Sequence, residues 1–114
     1  MKEGIVLTKI DDRGVAEVSL NRPERNNAYN GEMISELIKS FTSLYENNDV
    51  RIVMIRGLGK HFQGGADLEW LKEIGKLNEQ QNIEVSRKTA SAIKGLIEFP
   101  KPTIAMIHGG CFGG

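Results

Sequence analysis

One cysteine, Cys111, stands among 114 residues, so no intrachain disulfide can form. A reducing, intracellular setting is the simple expectation. Net charge is lacking as well, because fifteen Lys and Arg balance fifteen Asp and Glu. A chain with no basic excess has no bulk field to draw nucleic acid or an anionic membrane as its main partner. No apolar run approaches the ~20 residues that a membrane-spanning helix needs. The opening stretch "MKEGIVLTKIDD" reaches acidic residues too early for a secretory leader. These absences make the cytoplasm the expected location. Internal repeats and low-complexity segments are also missing.

What is present is ordinary for a globular α/β chain, with 39% apolar and 26% charged residues. "IVLTKI" and "VAEVSL" are rich in β-branched residues and are separated by "DDRG", so residues 4–20 read as a hairpin. After the polar loop "NRPERNNAYN", residues 31–47 repeat apolar positions at helical spacing: Met33, Ile34, Leu37, Ile38, Phe41, Leu44 and Tyr45. Asn30 stands at the N-cap. "RIVMIRG" (51–57) and "TIAMI" (103–107) are short apolar runs, the pattern of strands buried on both faces. Between them lie a short helix near 68–74 and a longer one over 79–98, ended by "EFPKP". Helix, strand, helix, strand after a hairpin implies parallel pairing through helical crossovers.

Two glycine clusters each follow an apolar strand: "GKHFQGGADLEWL" and "HGGCFGG". Glycine after a strand permits a sharp turn and a close approach of backbone to a ligand. Backbone N–H groups at a helix start lack intrahelical partners, so they can donate to an anion or a polarised carbonyl. Two such sites converging on one oxygen would form an oxyanion hole. The plainer alternative is that both clusters are tight turns and that Asp67 only caps a helix. A dinucleotide site fits badly, since "GGCFGG" lacks the G-x-G-x-x-G spacing and no acidic residue follows it. From the residues alone the first two readings stay open.

Taken in order, "LNRPERNNAYN", "GLGKHFQGGADLEWL" and "KPTIAMIHGGCFGG" resemble the crotonase (enoyl-CoA hydratase/isomerase) superfamily over nearly the whole chain. The stretch "HFQGGADLEWL" is nearest to the methylglutaconyl-CoA hydratase branch. The resemblance implies an α/β fold that is the N-terminal half of a crotonase-like ββα spiral, truncated at Gly114, so that residues 1–114 form an incomplete domain. It casts the backbone N–H groups of Ala66 and Gly114 as the two oxyanion donors. It lays Ala66, Asp67, Leu68 and Glu69 along the acyl-CoA and sets the backbone near Gly64 against the adenine. The loop from Arg25 to Ala28 flanks the coenzyme, with Arg25 in reach of a phosphate. No separate cofactor is implied, because coenzyme A is part of the substrate. The implied reaction is hydration of a 2-enoyl-CoA, a lyase step of fatty acid metabolism. In that step an enolate oxygen gathers charge, and losing one preorganised donor costs about 3–4 kcal/mol. The resemblance also places the proton-handling glutamate, in a G-x-E-L stretch, and a second carboxylate beyond Gly114. Members of the resembled family form trimers or hexamers. The alternative function is a catalytically inactive chain that binds acyl-CoA, associates with itself or joins a longer relative.

Other residues have blander roles. Asp67 reads as the cap of the short helix, and Glu69 and Glu73 as its solvated face. Trp70 reads as helix core rather than an acyl contact. His61 and His108 stand near the glycine loops, but with Cys111 they supply too few ligands at workable spacing for a metal. Cys111 has no base placed by sequence to make it a nucleophile.

Overall fold

The hairpin is built around Asp11. In a computed structural model describing residues 4–114, β1 (Val6–Ile10) and β2 (Val15–Leu20) pair antiparallel, from Val6 opposite Leu20 to Ile10 opposite Ala16. Asp11 Oδ1 accepts from the N–H groups of Arg13 and Val15, and Arg13 closes on Oδ2 at 2.7 Å. Gly14 completes the turn at φ +83°, where a Cβ would stand 2.6 Å from the Asp49 carbonyl oxygen. Met1, Lys2 and Glu3, which open the stretch read against a secretory leader, lie outside the described residues.

A 3₁₀ turn (Pro23–Arg25) leads into α1 (Gly31–Glu46), where Asn30 Oδ1 accepts from the Met33 N–H at 3.0 Å. Then follow β3 (Ile52–Gly57), α2 (Leu68–Ile74), α3 (Glu79–Ile97) and β4 (Thr103–Met106). The sheet order is β1-β2-β3-β4, with β2, β3 and β4 parallel. All seven expected elements are present within a residue or two, and β4 lies beside β3 with Thr103 opposite Val53.

One face of the sheet is the core. Ala16 and Val18 of β2 and Val53 and Ile55 of β3 pack with Phe41 and Leu44 of α1. Helix α3 lies against α1, starting from a capping box between Asn78 and Gln81. Lys101 Nζ donates to the carbonyls of Leu44 and Asn47, tying the entry to β4 to the end of α1. That satisfies carbonyls the helix leaves free and sets a positive charge at its negative end.

The expectation that β3 and β4 are buried on both faces is corrected here. β3 alternates, with Val53 and Ile55 buried, Met54 half-buried and Arg56 exposed. β4 is exposed at every position. On the face away from the helices, Glu17, Met54, Arg56 and Met106 line an open hollow of about 550 Å³. Glu17 lies there between Lys9 at 3.9 Å and Arg56 at 3.3 Å. A continuous apolar run reports that both faces can be covered; no described residue covers this one. Tyr45, expected on the apolar face of α1, is instead 61% exposed at the edge of that stripe.

Candidate functional site

Because β3 and β4 are parallel neighbours, the loops that follow them leave the sheet side by side. Each loop carries one glycine cluster. The Phe62 N–H donates to the carbonyls of His108 at 2.9 Å and Gly110 at 3.1 Å. Gln63 donates to the Gly110 carbonyl at 3.2 Å, and Phe112 returns a bond to the Gln63 carbonyl at 2.9 Å. Gln63 and Cys111 thus form a short parallel bridge. Both histidines join the loops. His61 Nδ1 accepts the Gly110 N–H at 2.8 Å, and His108 Nε2 lies 2.8 Å from the Gly59 carbonyl oxygen. With Nδ1 accepting, the neutral His61 ring carries its proton on Nε2.

The loops touch at two glycines in left-handed conformations, Gly65 at φ +86° and Gly113 at φ +71°. A Cβ on Gly113 would stand 3.2 Å from Gly65 Cα, and one on Gly65 would stand 3.4 Å from the Phe112 carbonyl oxygen. The positive φ at both positions disfavours any other residue, and a side chain on Gly113 would also crowd Gly65 by a few tenths of an ångström. Ala66 and Gly114, singled out from the sequence, are the next residues along from this contact. Neither donates to a protein acceptor among the described residues.

A third segment fixes this arrangement from below. The Tyr29 N–H donates to the Gly65 carbonyl at 2.9 Å, and the Tyr29 carbonyl accepts from Asp67 at 2.8 Å. The Gln63 side chain donates to the Asn27 carbonyl and accepts from the Gly65 N–H, both at 2.8 Å. Asn27 is fully buried at φ +57°, a left-handed conformation that Asn tolerates better than most residues. Its side chain accepts from the Arg22 N–H and donates to the carbonyls of Leu58 and His61.

Asp67 is a helix cap, as the blander reading had it. Its Oδ1 accepts from the Trp70 N–H at 3.0 Å, and Arg22 reaches Oδ2 at 2.7 Å. The Trp70 N–H and the Arg22 guanidinium hold the Asp67 carboxyl below the usual carboxylate range. Arg22 also donates to the Ala28 carbonyl, and Ala28 is buried. Gly64 lies against Asn26, where a Cβ would meet the carbonyl oxygen at 2.9 Å. Arg25 and Glu69 are both exposed and face each other at 3.4 Å. Leu68 is 75% exposed, and Glu73 is solvated. Trp70 is half-buried and meets Tyr29 edge-on, with ring centroids 5.9 Å apart. Among the described residues no cluster of His, Cys, Asp and Glu is arranged to hold a metal.

Arg22, Asn27, Gln63 and Tyr29 were not picked out from the sequence. Each lies in or beside a stretch that was quoted, but a polar residue that stitches loops together looks like any other polar loop residue until its partners are known. Beneath the loops, Met33, Ile34, Leu37, Ala92 and Ile93 wall an apolar cavity of about 210 Å³, which Tyr29 and Gly114 border.

A mixed sheet whose adjoining parallel strands end in two interlocked glycine loops beside an apolar cavity makes this an α/β protein. Residues 11–114 match the sequence profile "Enoyl-CoA hydratase/isomerase", and the chain belongs to that family. It is 34% identical to a peroxisomal Delta(3,5)-Delta(2,4)-dienoyl-CoA isomerase of Arabidopsis thaliana, covering 96% of this chain and 42% of that protein. A mitochondrial protein of the same description from Rattus norvegicus is 36% identical over 98% of this chain and 36% of its own length. The crystal structure of an enoyl-CoA hydratase from Shewanella pealeana superimposes with a TM-score of 0.92 at 33% identity, covering 96% of this chain and 41% of that one. The chain therefore spans about two fifths of the length of the first of these relatives. Its fold is the corresponding part of the crotonase-like spiral.

Proposed function

We propose that this chain binds acyl-CoA thioesters, with the N–H groups of Ala66 and Gly114 converging on the thioester oxygen as an oxyanion hole. The observation that carries the reading is the contact between Gly65 and Gly113. Next to it on adjoining loops stand two backbone donors, each without a protein acceptor among the described residues, and one of them, Gly114, borders an apolar cavity. The acyl chain enters that cavity. The coenzyme runs past Gly64, Leu68 and Glu69, with Arg25 exchanging Glu69 for a phosphate, a stronger and bidentate partner.

The reaction served by such a half-site is hydration of a 2-enoyl-CoA. Water adds its oxygen to C3 and its proton to C2, and charge gathers on the thioester oxygen in between. Fixed donors stabilise that charge without reorganising. Proton transfer needs a positioned acid or base, which in the resembled family is a carboxylate. Asp67 is engaged by Arg22 and the Trp70 N–H, while Glu69 is exposed on the outer face of α2. The chain by itself is therefore a binder without turnover. Titration of the purified chain with crotonyl-CoA is expected to give saturable binding, and a hydration assay on the same sample no turnover above background. Absence of binding would overturn the reading. Turnover near that of a full-length enoyl-CoA hydratase would show that Asp67 or Glu69 carries the proton after all.

A further inference from the structure

The cavity beneath the glycine loops has one polar group to spare. Apart from Thr89, its walls from α1 and α3 are hydrocarbon and thioether, and two of the polar side chains on its lining are engaged. Gln63 is bound to the main chain of Asn27 and Gly65, and Thr89 Oγ1 donates to the Val85 carbonyl at 2.9 Å. The Tyr29 hydroxyl, by contrast, bonds no protein group among the described residues. It is open to a ligand, because no side-chain nitrogen or oxygen among those residues is both fully buried and unpartnered. It lies 3.4 Å from the point where a side chain on Gly114 would begin.

The hydroxyl is also held in place. Main-chain bonds to Gly65 and Asp67 clamp Tyr29 on both sides, and Trp70 meets its ring at 68°. A donor fixed by packing and free of internal bonds binds an incoming oxygen with little ordering cost. Resting on the acyl-CoA reading above, we propose that Tyr29 is a specificity-determining residue. Its hydroxyl hydrogen-bonds an oxygen carried by the acyl chain close to the thioester, so that 3-hydroxyacyl thioesters are held in preference to unsubstituted ones. With the thioester oxygen at the Gly114 N–H, a hydroxyl beside Gly114 faces the first few acyl carbons and not the far end of the cavity. Tyr29 is half-buried, so an unsubstituted chain leaves the phenol to water, and the discrimination is about tenfold.

The test is calorimetric titration of the full chain and of Tyr29→Phe with 3-hydroxybutyryl-CoA and butyryl-CoA, which differ by one oxygen. The parent chain is expected to bind the hydroxylated thioester about tenfold more tightly, and in Tyr29→Phe the ratio of the two dissociation constants should fall to near one. A ratio near one in the parent chain, or an unchanged ratio in the variant, overturns this inference and leaves acyl-CoA binding standing. If a sample shown by circular dichroism to be folded binds neither thioester, the acyl-CoA reading fails and takes this inference with it.

Discussion

Asn27 ties the turn after β2 to the loop after β3 through three side-chain hydrogen bonds, to the Arg22 N–H and to the carbonyls of Leu58 and His61. Removing the amide leaves those half-buried groups partly to water, at no more than about 1–3 kcal/mol for any group left wholly unsatisfied. Asn27→Ala is expected to lower stability by about 2–4 kcal/mol, read as a shift in the urea midpoint. Asp67 and Asp11 make a prediction in pH. Both carboxyls are held below their usual range, Asp67 by the Trp70 N–H and Arg22, and Asp11 by the Val15 N–H and Arg13. Their folded forms give up protons more readily than their unfolded forms. They therefore contribute stability above the unfolded value of about 4 and lose it as pH falls through the lower folded values. The urea midpoint should hold steady from neutral pH to about 5 and then drop. The pair of changes Asp11→Asn and Asp67→Asn should lower the neutral value and flatten the acid limb. An acid limb of unchanged steepness would show that other groups govern it.

At the scale of elements, β4 stands out. It pairs with β3 along one edge, and its side chains are open: Ile104 is 44% exposed, Met106 47%, and Ile107 just beyond it 59%. An apolar strand at a sheet edge is a template for pairing with another chain. In sedimentation velocity the parent chain is expected to move to faster species as concentration rises. Met106→Lys, which puts a charge on that edge, should sediment as a monomer over the same range. A parent chain that stays monomeric at every concentration would contradict this. The element boundaries themselves were plain in the sequence, because caps, periodicity and prolines act locally. Asn30 caps α1 through its own side chain, and "EFPKP" ends α3 whatever the remainder of the chain does.

For the whole molecule, one sheet face is packed by helices and the other is open to solvent around Glu17, Met54, Arg56 and Met106. Covering a large apolar side chain fully contributes about 1.5–3 kcal/mol, and a domain's entire margin is about 5–15 kcal/mol. Leaving Ile104, Met106 and Ile107 open forfeits a sizeable part of such a margin. A strictly monomeric sample is therefore expected to melt below about 60 °C, within the mesophile range. A sharp, cooperative transition above that temperature in a monomer would show that the helical face alone is enough.

The sequence by itself determined the hairpin, the helices, the parallel crossovers and the two glycine loops, because each follows from patterns a few residues long. It also pointed to Ala66 and Gly114, through the resemblance of motifs set in order. Only the tertiary structure decided what those loops do to one another. Gly113 lies on Gly65, His61 holds Gly110, and Asn27 reaches the loop after β3, and each partnership joins residues that local patterning cannot relate. The pairing of Asp67 with Arg22 spans 45 positions. The burial of the strands was likewise out of reach of the sequence. An apolar run states what a strand can bury, and only the placement of the helices decides which of its faces is covered.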